Sequence, residues 1–195
     1  MAKITPEDFK AELRQLSLAK RDAIPAEARA AAAEVIAAQP FPYQIKPGTV
    51  VSAYSPMQSE LNPVPLMRKL ADVGATLALP VVVGRGKRLI MREWSFGQPL
   101  STGTWGIREP MPDAPEAWPD ILLVPLACFD RKGNRIGYGA GYYDLTINRL
   151  RVLKPVVAIG LAFHAQHAAV VPSTPRDARL DLVLTERELI ECGRK

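Results

Sequence analysis

The chain is poor in the residues that staple small folds or bind structural metals. It has two cysteines, Cys128 and Cys192, and two histidines among 195 residues, so neither a disulfide framework nor a zinc cluster is indicated. No apolar run approaches the ~18 residues of a membrane-spanning helix, and the N-terminus lacks the apolar segment of a secretory signal. We therefore expect a cytoplasmic protein with no membrane partner.

Aromatic residues are also scarce, at 7%, and lysines and arginines are dispersed along the chain. Nucleic-acid-binding proteins carry clustered basic residues, often within recognisable motifs, so we predict no nucleic-acid partner. The formal net charge is nevertheless +5. A positive excess of this size suits a small anionic partner such as a nucleotide or a polyglutamate tail.

The hydrophobic pattern predicts one α/β domain over residues 1–195, a length that can bury an independent core. Apolar runs alternate with helical patterns, which is typical of a mainly parallel sheet with helices on both faces. We predict helices at about residues 6–22, 25–38, 63–73 and 142–150, with Thr5 as the first N-cap. We predict strands at about residues 50–54, 77–83, 89–94, 121–126, 155–163 and 181–185, the second and third forming a hairpin. Residues 97–119 are predicted to be mostly loop, and residues 186–191 a helical turn.

A glycine-rich loop joins the predicted strand at residues 121–126 to the helix that follows. It contains Gly133, Gly137, Gly139 and Gly141. Such a loop gathers backbone N–H groups and a helix N-terminus at one place, where they can surround phosphate oxygens. The spacing matches neither the P-loop nor the dinucleotide fingerprint. The loop alone therefore fits either an anion site or a simple reversal of the chain.

Side chains at three other places are candidates for ligand binding. Lys10 and Arg14 lie four residues apart, hence on one face of the first helix, and form either a phosphate-binding pair or a solvated basic edge. Glu60 follows a predicted strand, at the end where ligands bind in open α/β sheets, but it fits equally well as a charge at a helix N-terminus. Trp105 lies in the long predicted loop and either stacks on a ligand or holds the loop against the core.

Residues 124–144, VPLACFDRKGNRIGYGAGYYD, closely resemble the signature of the 5-formyltetrahydrofolate cyclo-ligase family, roughly P-x-x-x-F-D-x-x-G-x-R-L-G-x-G-x-G-Y-Y-D. The match has no gaps. It departs at Tyr138, where many members carry arginine, and at Ala140, where glycine or lysine is frequent. The family's K-x-x-x-R, M-x-x-E, G-I-x-E-P and D-x-V-x-T-E motifs have counterparts at residues 10–14, 57–60, 106–110 and 181–186.

The resemblance implies a Rossmann-like fold of the NagB/RpiA/CoA-transferase type. It also implies an ATP- and Mg²⁺-dependent conversion of 5-formyltetrahydrofolate to 5,10-methenyltetrahydrofolate, with release of ADP and phosphate. The formyl oxygen would attack the γ-phosphoryl group, and N10 would then attack the activated carbon. The implied partners are ATP and a reduced folate, polyglutamylated in some cases. The oligomeric state stays open between monomer and homodimer.

The resemblance further assigns roles to the residues that match its motifs. The predicted ATP-binding residues are Lys10, Arg14, Arg135, Ile136, Gly137, Tyr138, Gly139, Ala140, Gly141, Tyr142 and Tyr143. The predicted substrate-binding residues are Met57, Glu60, Trp105 and Tyr142. Asp144 and Asp181 are the predicted Mg²⁺ ligands, and Arg135 and Tyr143 the predicted catalytic residues.

Two other functions are open at this stage. A non-catalytic nucleotide- or folate-binding module of the same fold, degenerate at Tyr138, would bind its ligand without turnover. The isomerase or CoA-transferase chemistry of related folds would need a catalytic Glu or Asp-His motif that the sequence does not display, and likeness of fold alone carries little weight.

Overall fold

The computed structural model describes residues 6–193, so the predicted N-cap Thr5 lies outside the described residues. The strands are β1 Val50–Ser52, β2 Thr76–Val81, β3 Ile90–Glu93, β4 Leu100–Thr102, β5 Arg108–Pro110, β6 Glu116–Ala117, β7 Ile121–Pro125, β8 Cys128–Phe129, β9 Arg135–Ile136, β10 Val157–Leu161, β11 Leu182–Leu184 and β12 Leu189–Glu191. The α-helices are α1 Pro6–Asp22, α2 Ala26–Ala38, α3 Val64–Asp72 and α4 Tyr142–Leu153. Short 3₁₀ turns lie at Thr104–Gly106 and His164–Gln166.

Eight of these strands form the central sheet, in the order β12-β11-β10-β7-β1-β2-β3-β6. The five inner strands, from β11 to β2, are parallel to one another. The outer pairs β11–β12, β2–β3 and β3–β6 are antiparallel. The prediction of a mainly parallel sheet is therefore confirmed, as is the hairpin of β2 and β3.

Both faces of the sheet are covered by helices, as predicted. On one face, Val51, Leu123 and Ile159 belong to a core that includes Ile36 of α2 and Leu70 of α3. On the other face, the alternate residues of the same strands pack into a second core with α4; its members include Leu122, Val124, Ala158, Ile147 and Leu150. A strand with helices on both sides needs apolar residues at successive positions, which explains the uninterrupted run in β7.

Three segments contain strands that the sequence did not predict. Residues 97–119 are mostly loop, as predicted, but they also contain the small antiparallel hairpin of β4 and β5, and the strand β6, which extends the main sheet. Residues 186–191 do not form a helical turn, because Leu189–Glu191 pairs with β11 as an edge strand and buries Ile190. The glycine-rich region also contains the hairpin β8–β9. All three depend on partners distant in sequence, which local propensity does not reveal.

No helix within residues 6–193 is long and apolar enough to cross a bilayer.

The central strands define where a ligand site is expected. After β1 the chain passes through α3 to β2 on one side, and after β7 it passes through α4 to β10 on the other side. β1 and β7 are neighbours, so the direction of the connections reverses between them. In open α/β sheets the carboxyl ends of two such strands border the ligand crevice.

Candidate active site

The glycine loop follows β9 and leads directly into α4. Gly139 and Gly141 have positive φ angles of 96° and 70°, a region that residues with a Cβ rarely adopt. An added Cβ at Gly137 or Gly141 would meet nothing within 4 Å, so one side of the loop is open. Glycine at these positions therefore allows the positive φ angles, and it also leaves room for a ligand to approach the loop backbone closely.

The first backbone N–H groups of α4 are available to bind a ligand. Its N-cap is Gly141, in the left-handed conformation, and no side chain caps the helix there. The first N–H groups of a helix have no partner within the helix, and they carry the positive end of the helix dipole. An anion held by the amides around Tyr142 and Tyr143 would satisfy them.

Arg14 of α1 hydrogen-bonds to the backbone of the glycine loop. Its Nε donates a hydrogen bond to the carbonyl oxygen of Gly137 at 2.7 Å, and a Cβ added at Gly139 would lie 3.5 Å from an Nη atom of Arg14. Arg14 thus supports the loop backbone while bringing a permanent positive charge next to it. This placement excludes the alternative of a fully solvated basic edge.

Lys10 lies one turn earlier on the same face of α1. Its Nζ forms an ion pair with Oδ2 of Asp177 at 2.5 Å, and both side chains are mostly buried. The same carboxylate accepts a hydrogen bond from the backbone N–H of Thr174. Burial raises the pKa of Asp177, but the bonds from Lys10 and Thr174 outweigh it, and the pKa lies below its usual value. Lys10 is therefore near the loop but already paired.

Glu60 occupies the turn that follows β1. Its Oε2 accepts a hydrogen bond from the backbone N–H of Met57 at 2.8 Å, while its buried Oε1 has no partner within the described chain. Burial raises the pKa of this carboxyl group. A buried, unpartnered acceptor is costly, and donors on a ligand would satisfy it. Met57 and Glu60 therefore lie together, as the M-x-x-E motif predicts.

Tyr143 is an electrostatic neighbour of both Glu60 and Arg135. Burial raises the pKa of Tyr143, the charge of Glu60 raises it further, and Arg135 opposes both. The hydroxyl therefore stays protonated and suits a donor rather than a base. It is buried and unpaired among residues 6–193, as is Nε of Arg135. Burial also lowers the pKa of Arg135, in opposition to the nearby charge of Asp144.

Asp144 neutralises Arg135. Its Oδ1 accepts hydrogen bonds from Nη2 of Arg135 and from the backbone N–H of Ala178, both at 2.9 Å. Because the Arg135 side chain is only 4% exposed, this pair compensates a buried charge. The charge of Asp177, the residue before Ala178, also acts on Arg135, so a second carboxylate lies near the same guanidinium group.

Asp181 lies elsewhere. Its Oδ2 accepts hydrogen bonds from Arg151, in the last turn of α4, and from the backbone N–H of Ala158, at the start of β10. Asp144 is in the first turn of α4, seven residues before Arg151, which is about 10 Å along a helix. The structure therefore does not bring the two predicted Mg²⁺ ligands together. Asp181 comes directly before β11, at the amino end of the parallel strands, whereas the ligand crevice is expected at their carboxyl ends.

The carboxylates of the described chain do not form a complete metal cage. No group of three or more possible His, Cys, Asp or Glu ligands occurs within residues 6–193. Magnesium commonly uses one or two carboxylates and completes its shell with water and substrate phosphates. Asp144, with the neighbouring Asp177, fits that mode of binding.

Two predicted substrate-binding residues meet at the edge of the site. The rings of Trp105 and Tyr142 lie 5.9 Å apart, centroid to centroid, and Trp105 is 68% exposed. Trp105 also has a φ angle of 58°, and Gln58, in the Met57–Glu60 turn, has one of 51°. Within the described residues, these are the non-glycine positions with positive φ. Backbone strain of this kind concentrates at functional sites.

The remaining predicted residues of the loop differ in exposure. Ile136 is buried in a small core with Cys128, so it can offer only its backbone, whereas Tyr138 and Ala140 are exposed. The Cys128 thiol, whose pKa burial raises, is not activated. The hydroxyl of Tyr138 accepts a hydrogen bond from Nη2 of Arg21 at 2.8 Å.

Sequence reasoning missed Arg21 and Asp177. Arg21 is completely buried and lies at the helical spacing of Lys10 and Arg14, so its position on the same face of α1 was detectable. Asp177 had no such signal, because it reaches Lys10 only through the fold, across 167 positions.

These features define the chain as a Rossmann-like α/β protein with a glycine-rich loop at the N-terminus of α4. The model of the 5-formyltetrahydrofolate cyclo-ligase family matches residues 6–186. The chain belongs to that family, and it is thus a member of an enzyme family.

Relatives and solved structures agree with this membership. A 5-formyltetrahydrofolate cyclo-ligase of Mycolicibacterium smegmatis is 30% identical over 185 residues, which cover 91% of this chain and 94% of the relative. The enzyme of the same name from Haemophilus influenzae is 30% identical over 135 residues, or 67% of this chain and 72% of the relative. The structure of Aquifex aeolicus 5,10-methenyltetrahydrofolate synthetase aligns with a TM-score of 0.79 at 27% identity, covering 96% of this chain and 94% of that one.

Proposed function

We propose that this protein converts 5-formyltetrahydrofolate to 5,10-methenyltetrahydrofolate, with consumption of ATP in the presence of Mg²⁺ and release of ADP and phosphate. Family membership supports the substrate and product, since the relatives are named for them. The observation that carries the proposal is the convergence of two unsatisfied binding surfaces. The turn of Glu60 follows β1, and the glycine loop follows the β8–β9 hairpin, which comes after β7, the neighbour of β1. Arg21 hydrogen-bonds to both loops.

The two surfaces suit two different ligands. The N-terminus of α4, with Arg14 beside it and Lys10 nearby, suits the triphosphate of ATP. The buried Oε1 of Glu60 suits the N–H donors of a pterin ring. Met57 offers a polarisable apolar wall beside it, and Trp105 with Tyr142 an aromatic surface.

The reaction requires alignment and charge stabilisation more than covalent chemistry by the protein. The formyl oxygen must be phosphorylated before N10 can displace it, and phosphoryl transfer depends on positioning. Arg135 is rigidly held by Asp144 and stays charged. Tyr143 stays protonated, so it can donate to an oxygen on which negative charge develops. No nucleophilic side chain is needed.

Magnesium, when bound, neutralises phosphate charge and orients the oxygen atoms to which it binds. We assign Asp144 as its carboxylate ligand, with Asp177 alongside. Asp181 is not part of this assignment, because its carboxylate pairs with Arg151 at the far end of α4.

The direct test is incubation of the purified protein with 5-formyltetrahydrofolate, Mg²⁺ and ATP while the absorbance of the methenyl product is followed. We expect product only when all three are present, and one ADP for each product formed. Calorimetric binding of ATP or folate without turnover would instead favour a non-catalytic binding module. Absence of both binding and turnover would reject the proposal.

A further inference from the structure

The side chain of Arg21 joins the two loops that the proposed function assigns to different ligands. Its Nε donates to Oγ of Ser59 at 2.9 Å, in the turn that holds Glu60. Its Nη2 donates to the hydroxyl of Tyr138 at 2.8 Å, in the glycine loop. The two loops follow different strands, β1 and β9, and Arg21 itself comes from the last turn of α1.

A purely structural role explains these contacts poorly. Arg21 is completely buried, and burying a charge is costly unless it is well paired. Yet its two side-chain bonds go to neutral hydroxyl groups, and its Nη1 finds no hydrogen-bond partner in the described part of the chain. Ser59 donates its own hydroxyl hydrogen to Asp22, and Glu60 acts on Arg21 through its charge, without a hydrogen bond between the two side chains.

Two electrostatic neighbours of Arg21 are predicted ligand-binding residues, Glu60 and Tyr138. Glu60 has an unpartnered Oε1, and the charge of Arg21 lowers the pKa that burial raises. Burial and the charge of Glu60 raise the pKa of Tyr138, while Arg21 opposes them. Arg21, Glu60 and Tyr138 are thus electrostatic neighbours, and the free donor of Arg21 belongs to the same cluster.

We propose that Arg21 is a positioning residue that couples the folate turn to the nucleotide loop, so that the two ligands bind with positive cooperativity. A guanidinium is a planar fork whose donors have a fixed mutual geometry. When a ligand orders one loop, the fork fixes the hydroxyl of the other loop, and the second ligand binds to an arrangement already ordered. The inference rests on the proposed function.

The test measures the coupling by isothermal titration calorimetry. The probes are 5-formyltetrahydrofolate and a non-hydrolysable ATP analogue with Mg²⁺, each titrated alone and each in the presence of saturating amounts of the other. We expect each ligand to tighten the other by the same factor, about 5- to 50-fold, within the usual range of coupling. The coupling is the ratio of the affinity for one ligand with the other ligand present to its affinity with the other absent. A variant that weakens both affinities equally therefore leaves the coupling unchanged.

Three variants interrupt the connection and one serves as control. Tyr138→Phe and Ser59→Ala each remove one hydroxyl, and Arg21→Lys keeps the charge without the fork. Each is expected to reduce the coupling to about twofold or less. Tyr43→Phe removes a hydroxyl beside Asp120 and Lys154, at the other end of the sheet, and should keep the wild-type value. If Arg21→Lys does not fold, Tyr138→Phe and Ser59→Ala still test the proposal.

Two results overturn the proposal. One is a wild-type protein that binds both ligands and turns over without coupling. The other is wild-type coupling that persists in Tyr138→Phe and in Ser59→Ala. Either would leave the proposed function intact, whereas a wild-type protein that binds neither ligand would reject the proposed function itself.

Discussion

Nε of Arg14 donates a hydrogen bond to the carbonyl oxygen of Gly137 at 2.7 Å, so a side chain of the first helix holds the backbone of a loop 123 positions further along the chain. This contact lies at the centre of the candidate site. It connects the pair of basic residues on α1 to the backbone of the glycine loop.

Replacing Arg14 by alanine should therefore weaken nucleotide use more than it weakens the fold. A hydrogen bond from a charged group is worth about 1.5–3 kcal/mol, and each 1.4 kcal/mol is roughly tenfold. We expect the apparent KM for ATP to rise about tenfold or more, measured by steady-state kinetics, with an unchanged far-UV circular dichroism spectrum. Gln15→Ala, at the exposed neighbouring position, should change neither. An unaltered KM in the Arg14 variant would contradict the role.

The magnesium assignment brings in Asp177, which the sequence did not indicate, and leaves out Asp181, which the sequence did indicate. Asp177→Asn removes a carboxylate near the Arg135–Asp144 pair, so the Mg²⁺ concentration that gives half-maximal activity should rise by about tenfold. Asp181→Asn loses only its contacts with Arg151 and Ala158 and should leave the Mg²⁺ requirement unchanged. Titration of activity with Mg²⁺ at saturating ATP measures both. The opposite pattern would restore Asp181 and exclude Asp177.

Glu60→Gln should not destabilise the fold at pH 7, although it should weaken folate binding. Burial raises the pKa of Glu60 in the folded chain, so folding becomes less favourable as the pH rises from the ordinary glutamate pKa of ~4.3 through that raised value. The glutamine variant avoids this cost, and its melting temperature at pH 7 should equal or exceed that of the wild type. The advantage should disappear below about pH 4.

The same variant should bind 5-formyltetrahydrofolate about 10- to 100-fold more weakly at pH 7, because an ionised acceptor is lost. Calorimetry measures the affinity, and differential scanning calorimetry the stability. In the wild type, affinity should fall as acidification protonates Glu60. Undiminished folate affinity in Glu60→Gln would remove Glu60 from the substrate site.

Gly133→Ala should destabilise the hairpin that precedes the glycine loop. Gly133 has a φ of +82°, and an added Cβ would lie 2.4 Å from the carbonyl oxygen of Leu180. Gly48 has a similar φ of +86° but nothing within 4 Å, so Gly48→Ala measures backbone strain alone, about 1 kcal/mol. We expect the free energy of unfolding in urea to fall by about 3 kcal/mol or more at Gly133. Equal losses at the two positions would show that the close contact is relieved cheaply.

The parts of the fold that depend on local pattern were predictable. The continuous apolar run of β7 indicated a strand buried on both faces, and the helical spacing of Lys10 and Arg14 indicated a shared face. The hairpin β4–β5 and the edge strand β12 were not predictable, because their pairing depends on segments brought together only by the fold. The exposed residues of such short strands carry little β-propensity signal.

The candidate site was predictable wherever a single motif contains both the residue and its backbone context. Gly137, Gly139 and Gly141 are examples, since their spacing already indicates a loop before a helix. Asp181 was assigned to the site by its motif alone. It precedes β11, whereas ligands of open α/β sheets bind at the carboxyl ends of the strands. The ion pair of Lys10 with Asp177 joins residues that are 167 positions apart, and no local pattern encodes it.

The central claim is that the backbone amides of residues 137–143, together with the side chains of Lys10 and Arg14, bind the triphosphate. A crystal structure with Mg²⁺ and a non-hydrolysable ATP analogue tests it most directly. The account predicts phosphate oxygens within hydrogen-bond distance of the amides of residues 137–143, with Arg14 still at the loop and Lys10 transferred from Asp177 to the phosphates. A triphosphate bound elsewhere, with those amides remote from it, would contradict the account.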